Sequence, residues 1–118
     1  MKISKIAELL SAEVYTGREL LETSVYSACG ADMMSDVLAF VKDQSVLLTG
    51  LVNPQVVRTA EMMDMRCIVF VRGKKPDQTI IDLAKQANMV ILATGLRMYC
   101  ACGLLYSNGL VGTEVKKQ

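Results

Sequence analysis

Three runs of five residues, SVLLT at 45–49, CIVFV at 67–71 and VILAT at 90–94, are apolar almost from end to end and too short to be helices. A strand with one wet face alternates polar and apolar residues, so runs of this kind belong to strands covered on both sides. SVYSAC at 24–29 reads as a fourth strand. Between these runs the period changes. Met34, Val37, Leu38 and Val41 fall at i, i+3, i+4 and i+7, as do Ile80, Leu83, Ala84 and Ala87, which is the apolar stripe of an amphipathic helix. Pro54 and Pro76 suit the first turn of a helix, where a missing N–H costs nothing, and Val56, Ala60 and Met63 then point inward from the first of these helices. The alternation predicts an α/β fold of three layers, with a mainly parallel sheet of four or five strands and helices on both faces.

The flanks carry weaker signals. Ser4 is placed to cap a short helix through Leu10, EVYTG at 13–17 reads as an additional edge strand, and RELLET at 18–23 fits no element well. A last helix is expected from Arg97 towards Asn108, ended by Gly109 and followed by a polar tail. A chain of 118 residues suits one domain: an N-terminal helix and edge segment at 1–23, the repeated core at 24–109 and the tail at 110–118.

In a parallel sheet the strand-to-helix turns share the carboxyl edge, where ligands of open α/β sheets bind. That edge would gather Thr49, Gly50, Asn53, Arg72, Gly73, Lys74, Lys75 and Thr94 near helix N-termini, whose free N–H groups favour anions. A phosphate or carboxylate suits such a place. The same residues also suit plain tight turns, for which Gly is needed whether or not anything binds. Neither GxxxxGK[ST] nor GxGxxG occurs.

A formal net charge of +1 gives no general basic field for nucleic acid, and no apolar run approaches the roughly 20 residues of a membrane span. The expectation is a soluble cytoplasmic protein. The chain has no histidine, which removes every His-dependent triad and the usual proton shuttle near neutral pH. Asp32 is the carboxylate nearest the strand edge, and a small enzyme acting on a phosphorylated or acyl substrate would have to use it.

Four cysteines match the count of an iron–sulfur cluster or structural zinc, but their spacing does not suit one site. Cys29 is expected at the carboxyl end of one strand and Cys67 at the amino end of another, while Cys100 and Cys102 point to opposite sides of a helix. No metal and no cofactor is therefore expected, although a cluster shared between two chains keeps the iron–sulfur reading open. In the last helix Met98, Ala101, Cys102 and Leu105 make one apolar face, and Tyr99, Gly103 and Tyr106 a second. The second face calls for another cover. Either the N-terminal segment supplies it, or a second subunit does, with Tyr99, Leu104 and Tyr106 as a two-fold interface.

GADMMSDVL, LLTGLVNPQVVRTAE, FVRGKKP and CGLLYSNGL, in that order over residues 30–109, resemble the DRTGG domain and in particular its small stand-alone members. The letters D-R-T-G-G are themselves absent, TGLVNPQVVRTAE standing where related domains carry a more polar, acidic loop. The resemblance implies a Rossmann-like fold, dimerisation, and regulation rather than catalysis. Such domains accompany phosphate acetyltransferase domains, lie between CBS domains of regulated pyrophosphatases, and are similar to the N-terminal part of HPr kinase. Stand-alone members occur among components of iron-only hydrogenases. The resulting expectation is a non-enzymatic, dimeric, regulatory or ligand-sensing module that binds a nucleotide or other phosphorylated small molecule and acts on a larger metabolic or redox enzyme such as a hydrogenase. An iron–sulfur or redox accessory protein and a small enzyme are the alternatives.

Overall fold

The computed structural model describes residues 1–40 and 45–112, apart from the side chain of residue 40. In chain order the elements are α1 (Ile3–Leu10), β1 (Glu13–Thr16), a 3-10 turn (Arg18–Leu20), β2 (Ser27–Gly30), α2 (Met34–Phe40), β3 (Ser45–Thr49), α3 (Pro54–Met62), β4 (Cys67–Phe70), α4 (Gln78–Gln86), β5 (Val90–Ala93) and α5 (Met98–Ser107). The five strands form one sheet in the order β1-β5-β4-β3-β2. β2 to β5 are parallel neighbours, while β1 joins the outer edge of β5 antiparallel. The sheet is therefore mixed rather than mainly parallel. EVYTG supplies the reversed strand because α1 delivers the chain to that edge with only two residues of connection.

Both faces of the three central strands are dry. Every residue of β3, β4 and β5 is buried, and the side chains divide with the strand period of two. Val46, Leu48, Cys67, Val69, Val90 and Leu92 pack with α1 and α5, through Ile3, Ile6, Leu10, Ala101 and Leu105. Leu47, Ile68, Phe70 and Ile91 pack against α2, α3 and α4, through Val37, Val56, Ala60, Ile80 and Ala84. The three-layer arrangement follows directly from this division.

Several boundaries differ from the sequence reading. β2 starts at Ser27, and Ser24 instead makes an isolated antiparallel bridge with Lys2, which anchors the start of the chain. Ser4 lies inside α1 and donates from Oγ to Glu22 Oε2 at 2.8 Å, so it caps nothing. Pro54 opens α3 as expected, but Pro76 lies ahead of Asp77, the residue that caps α4. Leu38 is exposed, so the inward stripe of α2 is narrower than its spacing suggested, and Val41 lies outside the described residues. So do residues 113–118 of the expected tail. RELLET forms the 3-10 turn and its exit, entered through Gly17 at φ 80°.

Gly17 is held where β1 ends in a bulge. Thr16 Oγ1 donates to the Met89 carbonyl at 2.7 Å and accepts from the Ile91 N–H at 3.1 Å, so a side chain takes over where the β1–β5 ladder slips register. A Cβ on Gly17 would lie 2.8 Å from Val90 Cγ2 and 3.0 Å from Val90 Cα. Gly73 also has positive φ, but nothing stands within 4 Å of a Cβ there. Gly73→Ala is expected to carry only the backbone strain of roughly 1–2 kcal/mol. Gly17→Ala adds a backbone clash and must cost more, and urea unfolding of the two variants checks the order.

Candidate ligand-binding crevice at the strand ends

The four turns that leave β2, β3, β4 and β5 lie side by side, and each is tied to the next. Asp32, after β2, accepts from the Gly50 N–H at 2.8 Å and from Thr49 Oγ1 at 3.2 Å. The β3 and β4 turns meet through the Val71 N–H on the Thr49 carbonyl at 3.1 Å, and through the Arg72 guanidinium, which lies across Gly50. A Cβ on Gly50 would stand 2.5 Å from Arg72 Nη2, so only glycine leaves room for that crossing. The β4 and β5 turns are joined by the Arg72 N–H on the Leu96 carbonyl at 2.7 Å and the Gly73 N–H on the Thr94 carbonyl at 3.0 Å. These bonds hold Arg72 at φ 61° and Gly73 at φ 72°, left-handed backbone that only glycine adopts at no cost.

The helices make the turns unequal. α2, α3 and α4 all return along one face of the sheet, whereas α5 crosses to the other. The chain leaving β4 and the chain leaving β5 thus part to opposite sides, and adjacent strands whose connections diverge leave a crevice between them. Here that crevice has a volume of about 160 Å³ and is lined by Gly73, Lys74, Lys75, Thr94 and Gly95, with Glu13 and Ala93 on the β1 side. Lys74 and Lys75 are exposed. Among the described residues the ion pairs are Lys2 with Glu22 and Lys5 with Glu8, so neither lysine at the crevice is neutralised by one.

The expected site residues therefore divide into two groups. Gly73, Lys74, Lys75 and Thr94 line the crevice, while Thr49, Gly50, Asn53 and Arg72 lie in or beside the row of turns next to it. Thr94 is buried and its hydroxyl is committed internally, donating to the Leu10 carbonyl at 2.7 Å and accepting from the Leu96 N–H. Thr49 is engaged in the same way with Asp32 and the Leu51 N–H. Asn53 caps α3 by accepting from the Val56 N–H, and Asp77 caps α4 by accepting from the Ile80 N–H. One of the free N–H groups at the start of each of α3 and α4 is thus already taken by a side chain. The positive charge of the site comes from Lys74, Lys75 and Arg72 instead. Glu13, which no motif or spacing marks out, reaches the crevice because β1 lies antiparallel beside β5.

The four cysteines do not meet at one site, although Cys102 lies over Gly30 and near enough to Cys29 to add to the upward shift of its thiol. Cys67 opens β4 facing α1 and α5, whereas Cys29 packs with the opposite cluster and Cys100 is exposed. Among the described residues no group of three His, Cys, Asp or Glu side chains is placed to hold a metal. Burial pushes the thiols of Cys29, Cys67 and Cys102 upward, away from the thiolate that a metal or a nucleophilic role requires. On α5, Ala101 and Leu105 are buried against the α1 side, while Tyr99 at 90%, Tyr106 at 57% and Leu104 at 37% remain exposed. Among the described residues α1 covers one face of that helix and the second stays exposed. Among the described residues no helix is long and apolar enough to cross a membrane.

Fold and site together define a small α/β domain with a cationic crevice at its strand ends. The sequence matches the DRTGG domain over residues 5–105, and the chain belongs to that family. The match takes in most of α1, all of β1, the first three of the motifs that first suggested it and the start of the fourth. The structure is similar to the CBS and DRTGG domains of the regulatory region of Clostridium perfringens pyrophosphatase, crystallised in complex with its activator, diadenosine tetraphosphate. The TM-score is 0.73 at 19% identity, a likeness of fold, and the match covers 99% of this chain but 50% of that one. No curated protein matches the sequence.

The Asp32 carboxylate has a structural duty, since it is the clasp between the first two turns. Asp32→Ala is expected to destabilise the domain by roughly 1 kcal/mol. Asp32→Asn, which keeps an acceptor for the Gly50 N–H, should lose less, as read from urea midpoints.

Proposed function

We propose that this chain is a non-catalytic regulatory module that senses a phosphorylated small molecule in the crevice between the β4 and β5 turns. The observation that carries the reading is the placement of Lys74 and Lys75, two exposed cations with no ion pair among the described residues, at the point where α4 and α5 part to opposite faces. Membership of the DRTGG family supports it. So does the likeness to a pyrophosphatase regulatory region that carries a nucleotide activator. In this reading Lys74 and Lys75 attract the anion, the Gly73 and Gly95 backbones let it approach closely, and Arg72 stands beside it over Gly50. The hydroxyls of Thr49 and Thr94 hold the turns in place rather than touch the ligand.

The regulated target is a larger metabolic or redox enzyme, with the hydrogenase setting of related stand-alone domains as one instance. The module self-associates through the open face of α5, where Tyr99, Leu104 and Tyr106 present apolar area around Gly103.

Thermal unfolding with pyrophosphate and tripolyphosphate tests the site. A ligand at a hundred times its dissociation constant stabilises by about 2.7 kcal/mol. At roughly 4 °C or more per kcal/mol, the expected rise is on the order of 10 °C. Lys74→Ala combined with Lys75→Ala should abolish it, and a wild-type protein unmoved by either anion would refute the site. Sedimentation tests self-association: Tyr99→Glu with Tyr106→Glu should convert a dimer to a monomer, and a wild-type chain that sediments as a monomer at high micromolar concentration removes the dimer from the reading.

A further inference from the structure

A second depression adjoins the cationic crevice and shares its wall. It has a volume of about 360 Å³ and lies on the α1 and α5 side of the β5 turn, lined by Leu9, Leu10, Ser11, Leu96 and Leu104 together with Thr94 and Gly95. Thr94 and Gly95 are common to the two, one depression opening towards each side of the sheet. Gly95 lies on the boundary between them. Gly95 is exposed, and a Cβ built on it would have no heavy atom within 4 Å. The cationic part alone, at about 160 Å³, falls below the roughly 300–1,000 Å³ typical of small-molecule sites, whereas its apolar neighbour, at about 360 Å³, lies within that range, so a ligand of ordinary size held at the lysines has its room on the apolar side.

We infer that the two depressions form one bipartite site for a phosphorylated compound bearing a planar or apolar group, of which a nucleoside polyphosphate is the type. Its phosphates lie at Lys74 and Lys75, its body passes over Gly95, and its planar group enters the groove of Leu9, Leu96 and Leu104. This inference rests on the anion-binding reading above and adds the chemistry of the ligand's other half. Each part of the site has its own reason. The lysines supply charge without shape, because they are solvent-exposed and flexible. The leucine groove supplies shape without charge. The carbonyl of Leu10 is already taken by Thr94, and the N–H of Ser11 by the end of α1, which leaves the exposed Ser11 hydroxyl as the side-chain hydrogen-bonding group on that wall. A purely anionic ligand would leave this groove unfilled.

Titration calorimetry with ATP, tripolyphosphate and adenosine tests the inference. Tripolyphosphate carries at least as much negative charge as ATP, so charge alone predicts no preference for ATP. The bipartite site predicts that ATP binds at least tenfold more tightly than tripolyphosphate and that adenosine alone binds weakly. Leu9→Gln, outside the cationic crevice, should bring ATP down to the affinity of tripolyphosphate and leave the latter unchanged. Gly95→Gln, whose side chain enters open space, should weaken ATP by a similar factor while the melting temperature of the unliganded protein holds. If tripolyphosphate binds and ATP binds no better, or if the ATP preference survives Leu9→Gln, the bipartite site is wrong and the anion site stands. If neither anion binds, the anion reading falls and this inference falls with it.

Discussion

The three central strands of this domain have no wet face, and most of its architecture follows from that. β3, β4 and β5 bury every residue, so apolar cover is required above and below. The connections between parallel strands provide it on one side through α2, α3 and α4. The other side has no crossover helix left to cover it and draws on the two ends of the fold, α1 and α5. α5 therefore has to leave β5 in the direction opposite to α4, and the parting of the chain at that point is what opens the crevice. The candidate site is a by-product of covering the sheet.

The turns at this edge are stiffened by an internal supply of acceptors. Asp32, Thr49, Asn53, Asp77 and Thr94 each spend side-chain oxygens on neighbouring backbone N–H groups or carbonyls. Among the described residues no buried side-chain nitrogen or oxygen lacks a partner. Polar groups near the crevice thus fall into two populations. Those with short side chains are consumed by structure, and the long cations Arg72, Lys74 and Lys75 carry no ion pair among the described residues. This division suits electrostatic attraction of a ligand better than acid–base chemistry, which needs a poised group aimed at a reacting atom.

The strand runs of the core were legible because burial on both faces writes itself into composition. No period is needed to recognise CIVFV, and its neighbours follow from the same rule. The shared edge, and with it Thr49, Gly50, Arg72 and Lys74, was legible from topology alone. What escaped depended on contacts made at long range. Tyr26 and Val25 look like strand, but the start of the chain bonds to that segment, with the Val25 N–H on the Met1 carbonyl, and pairing with β3 begins only at Ser27. The antiparallel sense of β1 is not written in EVYTG, since four residues of edge strand pair either way. Glu13 entered the crevice by that route. Asp32 could be read as a cap, a catalytic acid or a surface charge until its partners were known. The Pro at 76 gave a misleading signal because Asp77 beside it makes the better cap.

α5 is where these constraints meet. One side of it, Ala101 and Leu105, completes the core, and its beginning is set by the β5 turn that walls both depressions. The remaining face exposes Tyr99, Leu104 and Tyr106, a poor arrangement for a helix meant to stay in water. Leu104 belongs to that face and to the leucine groove at once. A chain docked on α5 would therefore alter the groove, and a group seated in the groove would alter the surface offered to that chain. Linkage makes the effect reciprocal: whatever free energy the ligand adds to association, association returns to the ligand. Under the proposed function, sensing and signalling would meet at Leu104. Sharing one leucine between them is a physically sufficient way to join the two.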